Sequence, residues 1–520
     1  MNLLTAHGPH LRTIDLALVL VYLAGITIFG LRFRKSSRGS LREYFLAGRN
    51  IPWWAIALSI VAAETSTLTI ISVPGLAYTG DFGFLQLGFG YMLGRIVICI
   101  LFLPRYFRGE LLTAYQLIGQ RFGQRLQRFT AMLFLVMRAA AEGVRVFAVA
   151  IVVGIAIGTG DAASIAILCG LTLLYTFEGG MTAVIWTDVL QVFLYLLGSA
   201  VALWTVCAKI PGGLDALLAA ASMAHKLTVL HFSWSISETY TFQAGVIGGC
   251  FLTMASHGTD QLMVQRLLAA KSLRDSRLAL LVSGLVVCFQ FALFLFIGAG
   301  LFVYYRLSGA APALGPDRIF PAFIVGQMPA RIAATIRPAI LAAAMSNLSA
   351  ALNSLASTSV VDFYLPRHPQ LSQPRRIRLS RAMTLAWAVV LCGLAILARS
   401  GGHLVEIGLS IASVLLGAML GVFLLGTLSR RANERGTMAG MVAGCTVNLL
   451  LWLQPRPLSF WISWSFPFLS MSHGIIPMLV PKIAWTWYVL IGSLVTCAVG
   501  YGASLILPES AAVLESKRSI

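Results

Sequence analysis

Apolar residues run in blocks of about twenty along most of the chain, and polar residues gather in the short gaps between them. A block of that length spans the hydrocarbon core of a bilayer as a helix. In lipid only helices or closed barrels satisfy every backbone N–H and C=O. Barrel strands alternate apolar and polar side chains over about 10 residues. Blocks such as 16–30 and 411–425 do not alternate. The pattern therefore predicts an all-α polytopic membrane protein with about thirteen spanning helices. They fall at 12–31, 52–73, 82–104, 129–156, 162–178, 183–207, 241–257, 278–305, 337–362, 382–399, 404–427, 436–453 and 483–507.

The gaps set an orientation. Alternate connections (31–49, 104–128, 257–277, 363–381, 428–435) and the C-terminal tail hold 25 of the 38 Lys and Arg residues, whereas 74–82 and 157–161 hold none. Basic loops stay cytoplasmic, so the N-terminus is expected outside and the C-terminus in the cytoplasm of a cell membrane. The long connection 306–337, with Arg306, Arg318, Arg331 and Arg337, runs weakly against this.

Composition agrees with the pattern. Hydrophobic residues make up 58% of the chain and charged residues 11%, where soluble domains carry about 25% charged; mean hydropathy is +0.84. A net charge of +19 would suggest a nucleic-acid partner in a soluble protein. Here the positive charge sits in short loops and no nucleic-acid motif occurs, so none is expected. The eight cysteines fall in or beside apolar blocks without a CxxC, which argues against zinc or a disulfide framework. Arg32, Arg34 and Lys35 follow the first block, the reverse of a secretory signal, so that block is read as a retained helix. The short C-terminal tail leaves little room for a soluble signalling domain. Gly436, Gly440 and Gly444, like Gly417 and Gly421, permit close helix approach. Packing within one chain, with the monomer as the working unit, explains them more simply than a dimer.

Buried polar groups inside spans mark candidate sites. The second span carries Ser59, Glu64, Thr65, Ser66, Thr67 and Thr69 and is closed by Pro74-Gly75. Such a segment can break and free carbonyls for a cation, or its hydroxyls can bond back to the preceding turn. In the ninth span Ser346, Ser349 and Asn353 share one face; they suit a hard ion such as Na⁺, or helix packing. Asp188 in the sixth span can help hold a cation or pair with an arginine. Arg138, Glu142 and Arg145 are spaced to bond one another, and one of these arginines is a candidate to neutralise Glu64. His257 and Asp260 are read at the cytoplasmic end of a helix, in a gate or interface. No HExxH, GxSxG or P-loop occurs, so neither an enzyme nor ATP-driven transport is indicated.

Several stretches resemble the sodium:solute symporter family: 44–54 (YFLAGRNIPWW), 178–191 (EGG through WTDVLQ), 258–266 (GTDQ through VQR), and Ser346 through Asn353-Ser354 to Asp362-Phe363-Tyr364. They occur in family order across most of the chain. The resemblance implies sodium-coupled symport of a small polar or organic solute by alternating access, on a LeuT-like core of two inverted five-helix repeats. These would be 51–207 and 241–427, preceded by an extra helix and basic loop in 1–50 and followed by two helices and a tail in 428–520. It also implies a main sodium site at Leu58, Val61, Ala343, Ser346 and Asn347, where the family usually has serine at position 347. A second ion would fall at Asp188, Ser346 and Ser349, although Ala350 lacks the hydroxyl used there. The solute would bind near Glu64, Thr65, Ser66, Thr67, Tyr91, Thr253 and Gln290. Small hydroxyls at Thr65 and Thr253 replace the amides of sugar-carrying members. Na⁺, the solute and the bilayer are then the partners. Proton coupling through Glu64 or Asp188, and a non-transporting nutrient sensor on the same scaffold, are the alternatives.

Overall fold

A computed structural model describes residues 13–37, 39–65, 67–157, 160–309, 315–328, 330–398, 404–453 and 483–507. Its α-helices, in order, are α1 Thr13–Leu31, α2 Leu41–Leu46, α3 Trp53–Glu64, α4 Thr67–Thr79, α5 Gln86–Leu101, α6 Leu103–Tyr106, α7 Ala114–Phe122, α8 Gln124–Ile157, α9 Asp161–Lys209, α10 Gly213–Met223, α11 Gly249–Gly258, α12 Gln261–Leu268, α13 Leu273–Ser308, α14 Pro316–Gly326, α15 Ala330–Thr358, α16 Gln373–Ala398, α17 Leu404–Leu428, α18 Glu434–Leu453 and α19 Tyr488–Ile506. No strand occurs among the described residues; Ile51 and Ala270 make an isolated bridge. Five described stretches are long and apolar enough to cross a membrane: Gly83–Leu101, Ala162–Lys209, Leu273–Ser308, Gln373–Leu397 and Trp485–Ile506.

The spans read at 162–178 and 183–207 form one helical run, α9, of 49 residues. At about 1.5 Å per residue this is more than twice the thickness of the hydrocarbon core. The run turns at Gly180, whose φ of 55° and ψ of −150° suit glycine alone. A Cβ there would strike the Tyr44 backbone.

Two spans are interrupted. The second splits into α3 and α4 at Thr65, which is extended (φ −83°, ψ 101°). Pro74-Gly75 does not close this span: α4 runs through Pro74 to Thr79. Lys226 then caps its end, donating from Nζ to the carbonyls of Tyr78 (2.8 Å) and Gly80 (2.7 Å). The other interruption lies at Thr259 and Asp260, between α11 and α12. Here the structure corrects the loop reading of 257–277: Gln261 to Leu268 form a helix, every residue of which is buried. Asp260 caps it, accepting from the Leu262 N–H at 2.9 Å.

The core brings α3 and α15 against α9, α4 against α13, and α5 against α11. The glycine stripe of α18 packs within the chain: Gly436 meets Ser504, Gly440 meets Thr496 and Gly500, and Gly444 meets Thr496 and Gly492, all on α19. All eight cysteines are free.

Candidate ion and solute site at two helix breaks

The run Glu64-Thr65-Ser66-Thr67 sits where α3 ends, and hydroxyl side chains there compete with the helix for backbone groups. The Thr65 N–H still closes on the Val61 carbonyl at 2.9 Å. The Thr65 carbonyl, freed by the break, accepts from Asn347 Nδ2 of α15 at 3.0 Å. The Thr65 hydroxyl and the Gln290 amide of α13 bond each other at 2.8 and 3.1 Å.

At Ser346, directly before Asn347, a second polar group knits four elements together. Asp188 of α9 is fully buried. It accepts from Ser59 Oγ of α3 at 2.5 Å, Ser346 Oγ of α15 at 2.6 Å and a terminal guanidinium nitrogen of Arg266 of α12 at 2.9 Å. Arg266 also donates to Ser59 Oγ and to the Leu262 carbonyl, both at 2.8 Å. Of the two readings of Asp188, the structure displays the arginine pair. It also places Ser346 on the same carboxylate. Ser349 donates to the Ser346 carbonyl at 2.9 Å. Asn353 turns elsewhere, accepting from Gln265 of α12 at 2.7 Å. Leu58 lies one turn before Val61 on α3, and Ala343 one turn before Ser346 and Asn347 on α15.

Glu64 points to α5 and α11. Its carboxylate meets Arg95 at 2.5 Å and His257 Nε2 at 3.3 Å. Arg95 is fully buried and Glu64 is 13% exposed. The expectation that Arg138 or Arg145 neutralises Glu64 is thus overturned. Both bond Glu142, at 3.1 and 2.7 Å, as their spacing predicts. Arg138 also pairs with Asp260 at the second break. His257, in the last turn of α11, thus reaches both Glu64 and Arg95. Tyr91 lies one turn before Arg95, whose guanidinium sits 5.9 Å from its ring centroid. Thr253, one turn before His257, is buried. Ser66 lies outside the described residues, and of Thr67 only its place at the start of α4 is described.

Sequence reasoning missed Arg95 and Arg266 as site residues. Arg95 had a visible signal, a lone charge within an apolar span.

Two interrupted helices facing each other across buried charges are the working parts of a secondary transporter. The sequence pattern of the sodium:solute symporter family matches residues 44–444. The chain belongs to that family, and it is an integral membrane protein performing sodium-coupled symport. Among similar proteins, the sodium/sialic acid symporter NanT of Aliivibrio fischeri is 27% identical, over 85% of this chain and 88% of its own. The human sodium/iodide cotransporter is 26% identical over 83% and 68%, and the bovine sodium-coupled monocarboxylate transporter 2 is 26% identical over 91% and 79%. In fold, the chain is similar to a Na⁺-coupled sialic acid symporter solved in a substrate-bound outward-open state. The TM-score is 0.83 at 24% identity, covering 96% of this chain and 99% of that one. It is also similar to MHP1, a nucleobase-cation-symport-1 family transporter, in a closed conformation, with TM-score 0.57 at 15% identity, covering 93% and 99%.

Proposed function

We propose that sodium binds where the α3 break meets α15, held by the carbonyls of Leu58, Val61 and Ala343, the Ser346 hydroxyl and the Asn347 side chain. The observation that carries this reading is the hydrogen bond from Asn347 to the freed Thr65 carbonyl, with Ser346 beside it on Asp188. Asp188 and Ser349 would take a second ion only by loosening Arg266. The solute binds on the other side of the break, among Glu64, Thr65, Ser66, Thr67, Tyr91, Thr253 and Gln290, to which Arg95 and His257 are added.

The charge balance bears on the solute. Iodide and monocarboxylates, named for two relatives, are anions. In this chain the Arg95 guanidinium is already matched by Glu64. An anion would have to displace a buried carboxylate, so a small polar molecule without obligatory net charge fits better. Proton coupling through Glu64 or Asp188 is disfavoured, because each carboxylate sits on an arginine.

The cycle is alternating access in two inverted five-helix repeats, 51–207 and 241–427, within about thirteen spanning helices. The protein works as a monomer in the cell membrane, with its N-terminus outside. One inward charge gains about 2.3 kcal/mol per 100 mV, or about forty-fold solute accumulation at roughly 1.4 kcal/mol per decade. Proteoliposomes with an inward sodium gradient test the reading against a panel of sugars, amino acids, carboxylates and vitamins. At least one should accumulate in sodium, faster with a negative interior. Equal uptake of that solute from sodium and choline media would refute the coupling.

A further inference from the structure

Asp362 follows α15, in the turn Ser359–Tyr364, and is fully buried. Its Oδ1 accepts two hydrogen bonds, from Thr113 Oγ1 at 2.9 Å and Gln127 Nε2 at 2.7 Å. Its Oδ2 is buried and has no partner. Among the described residues, the other buried carboxylates are compensated. Glu142 and Asp260 lie on Arg138, Asp188 lies on Arg266, and Glu434 accepts the N–H groups of Arg125 and Leu126 at the start of α8. Asp362 makes no ion pair.

Among the described residues no cation is bonded to it: Arg367, just after it, is exposed and donates to the Phe363 carbonyl, and Arg121 of α7 donates to the Ser429, Arg430 and Ala432 carbonyls. On α8, Arg128 donates to Gln124 and Arg125 is exposed. On α16, Arg376 donates to the Leu371 and Pro369 carbonyls, Arg381 pairs with Glu178, and Arg375 and Arg378 are exposed. On α7, Tyr115 is buried with an unpartnered hydroxyl. At the start of α12, Asp260 is committed to Arg138. A carboxylate in such a place loses its hydration for two neutral hydrogen bonds on Oδ1, with nothing on Oδ2 and no counter-charge. A neutral carboxyl fits the same bonds: its carbonyl oxygen, Oδ1, accepts from Thr113 and Gln127, and its hydroxyl is Oδ2.

We infer that Asp362 is a proton-binding site, neutral while the joint around it is closed. The joint connects to the second helix break. Gln261, the first residue of α12, accepts from the Ala114 N–H at 2.8 Å and donates to the Leu112 carbonyl (3.1 Å) and Ser357 Oγ (3.3 Å). When α12 moves away from α7 and α15, water reaches Oδ2. The O–H bond then breaks, its proton passes to water, and a hydrated carboxylate remains; closing takes one proton back.

Infrared difference spectra of the full-length protein in liposomes test this, with no dependence on which solute or ion is carried. Wild type minus Asp362→Asn at neutral pH should show one protonated-carboxyl C=O band, shifted down in heavy water and equal in sodium and choline. A difference confined to the carboxylate stretches would overturn the inference. So would conversion of the band to carboxylate on adding sodium, which would assign a metal cation instead. Should Asp362→Asn fail to fold, Gln127→Leu provides the second arm. Loss of one donor to Oδ1 should move the C=O band to higher frequency, and an unmoved band would rule out Asp362 as its source.

Discussion

Arg95→Met should lower the melting temperature of the purified protein and abolish uptake, and adding Glu64→Gln should restore most of the melting temperature but none of the uptake. Arg95 is fully buried, 2.5 Å from Glu64. Without it the carboxylate keeps only His257, at 3.3 Å. Removing one partner of a buried ion pair costs about 3–5 kcal/mol, whereas replacing both with neutral groups is often close to neutral. The double variant therefore separates folding from function. It has no misplaced charge, yet it lacks the polar pair to which the solute site is assigned. Thermal melts of the three proteins in one detergent, with uptake after reconstitution, check this. Equal melting of the single and double variants would mean that the pair does not act as a unit.

Arg266→Met should have a comparable effect with a different signature. Asp188 would keep the Ser59 and Ser346 hydroxyls but lose its counter-charge. The cost is again about 3–5 kcal/mol. Here a bound cation can replace the missing guanidinium, because Ser346 and Asp188 face the proposed sodium site. The variant should melt well below wild type in choline and regain more than wild type does on adding sodium. A sodium-induced shift no larger than that of wild type would separate Asp188 from the ion site.

The all-helical membrane class was legible in the sequence because the bilayer imposes one requirement on every lipid-facing residue. The first break was legible too, since Glu64 and three hydroxyl residues in succession have no reason to stand in lipid. The second break was not. Residues 261–268 contain Gln261, Gln265 and Arg266, which give a short helix the hydropathy of a loop. What buries them is partnership across the fold: Gln265 on Phe45 and Asn353, Arg266 on Asp188 and Ser59. No local pattern encodes those pairings. The same holds for Glu64. The arginines of α8 were the candidates for its counter-charge, yet its partners came from α5 and α11, 31 and 193 residues away. Pro74-Gly75 misled for a related reason. The helix passes through it, and Gly75 is needed instead for close contact with Pro316.

The central claim is that sodium sits between the end of α3 and Ser346 of α15. Equilibrium binding of radiolabelled sodium to purified protein, without solute, tests it most directly. Ser346→Ala removes a ligand and one donor to Asp188, and Ser493→Ala on α19 serves as a buried control that donates only to the Leu490 carbonyl of its own helix. Half-saturation should require about tenfold more sodium in Ser346→Ala, equivalent to roughly 1.4 kcal/mol, and should be unchanged in Ser493→Ala. Equal sodium affinity in wild type and Ser346→Ala would contradict the account.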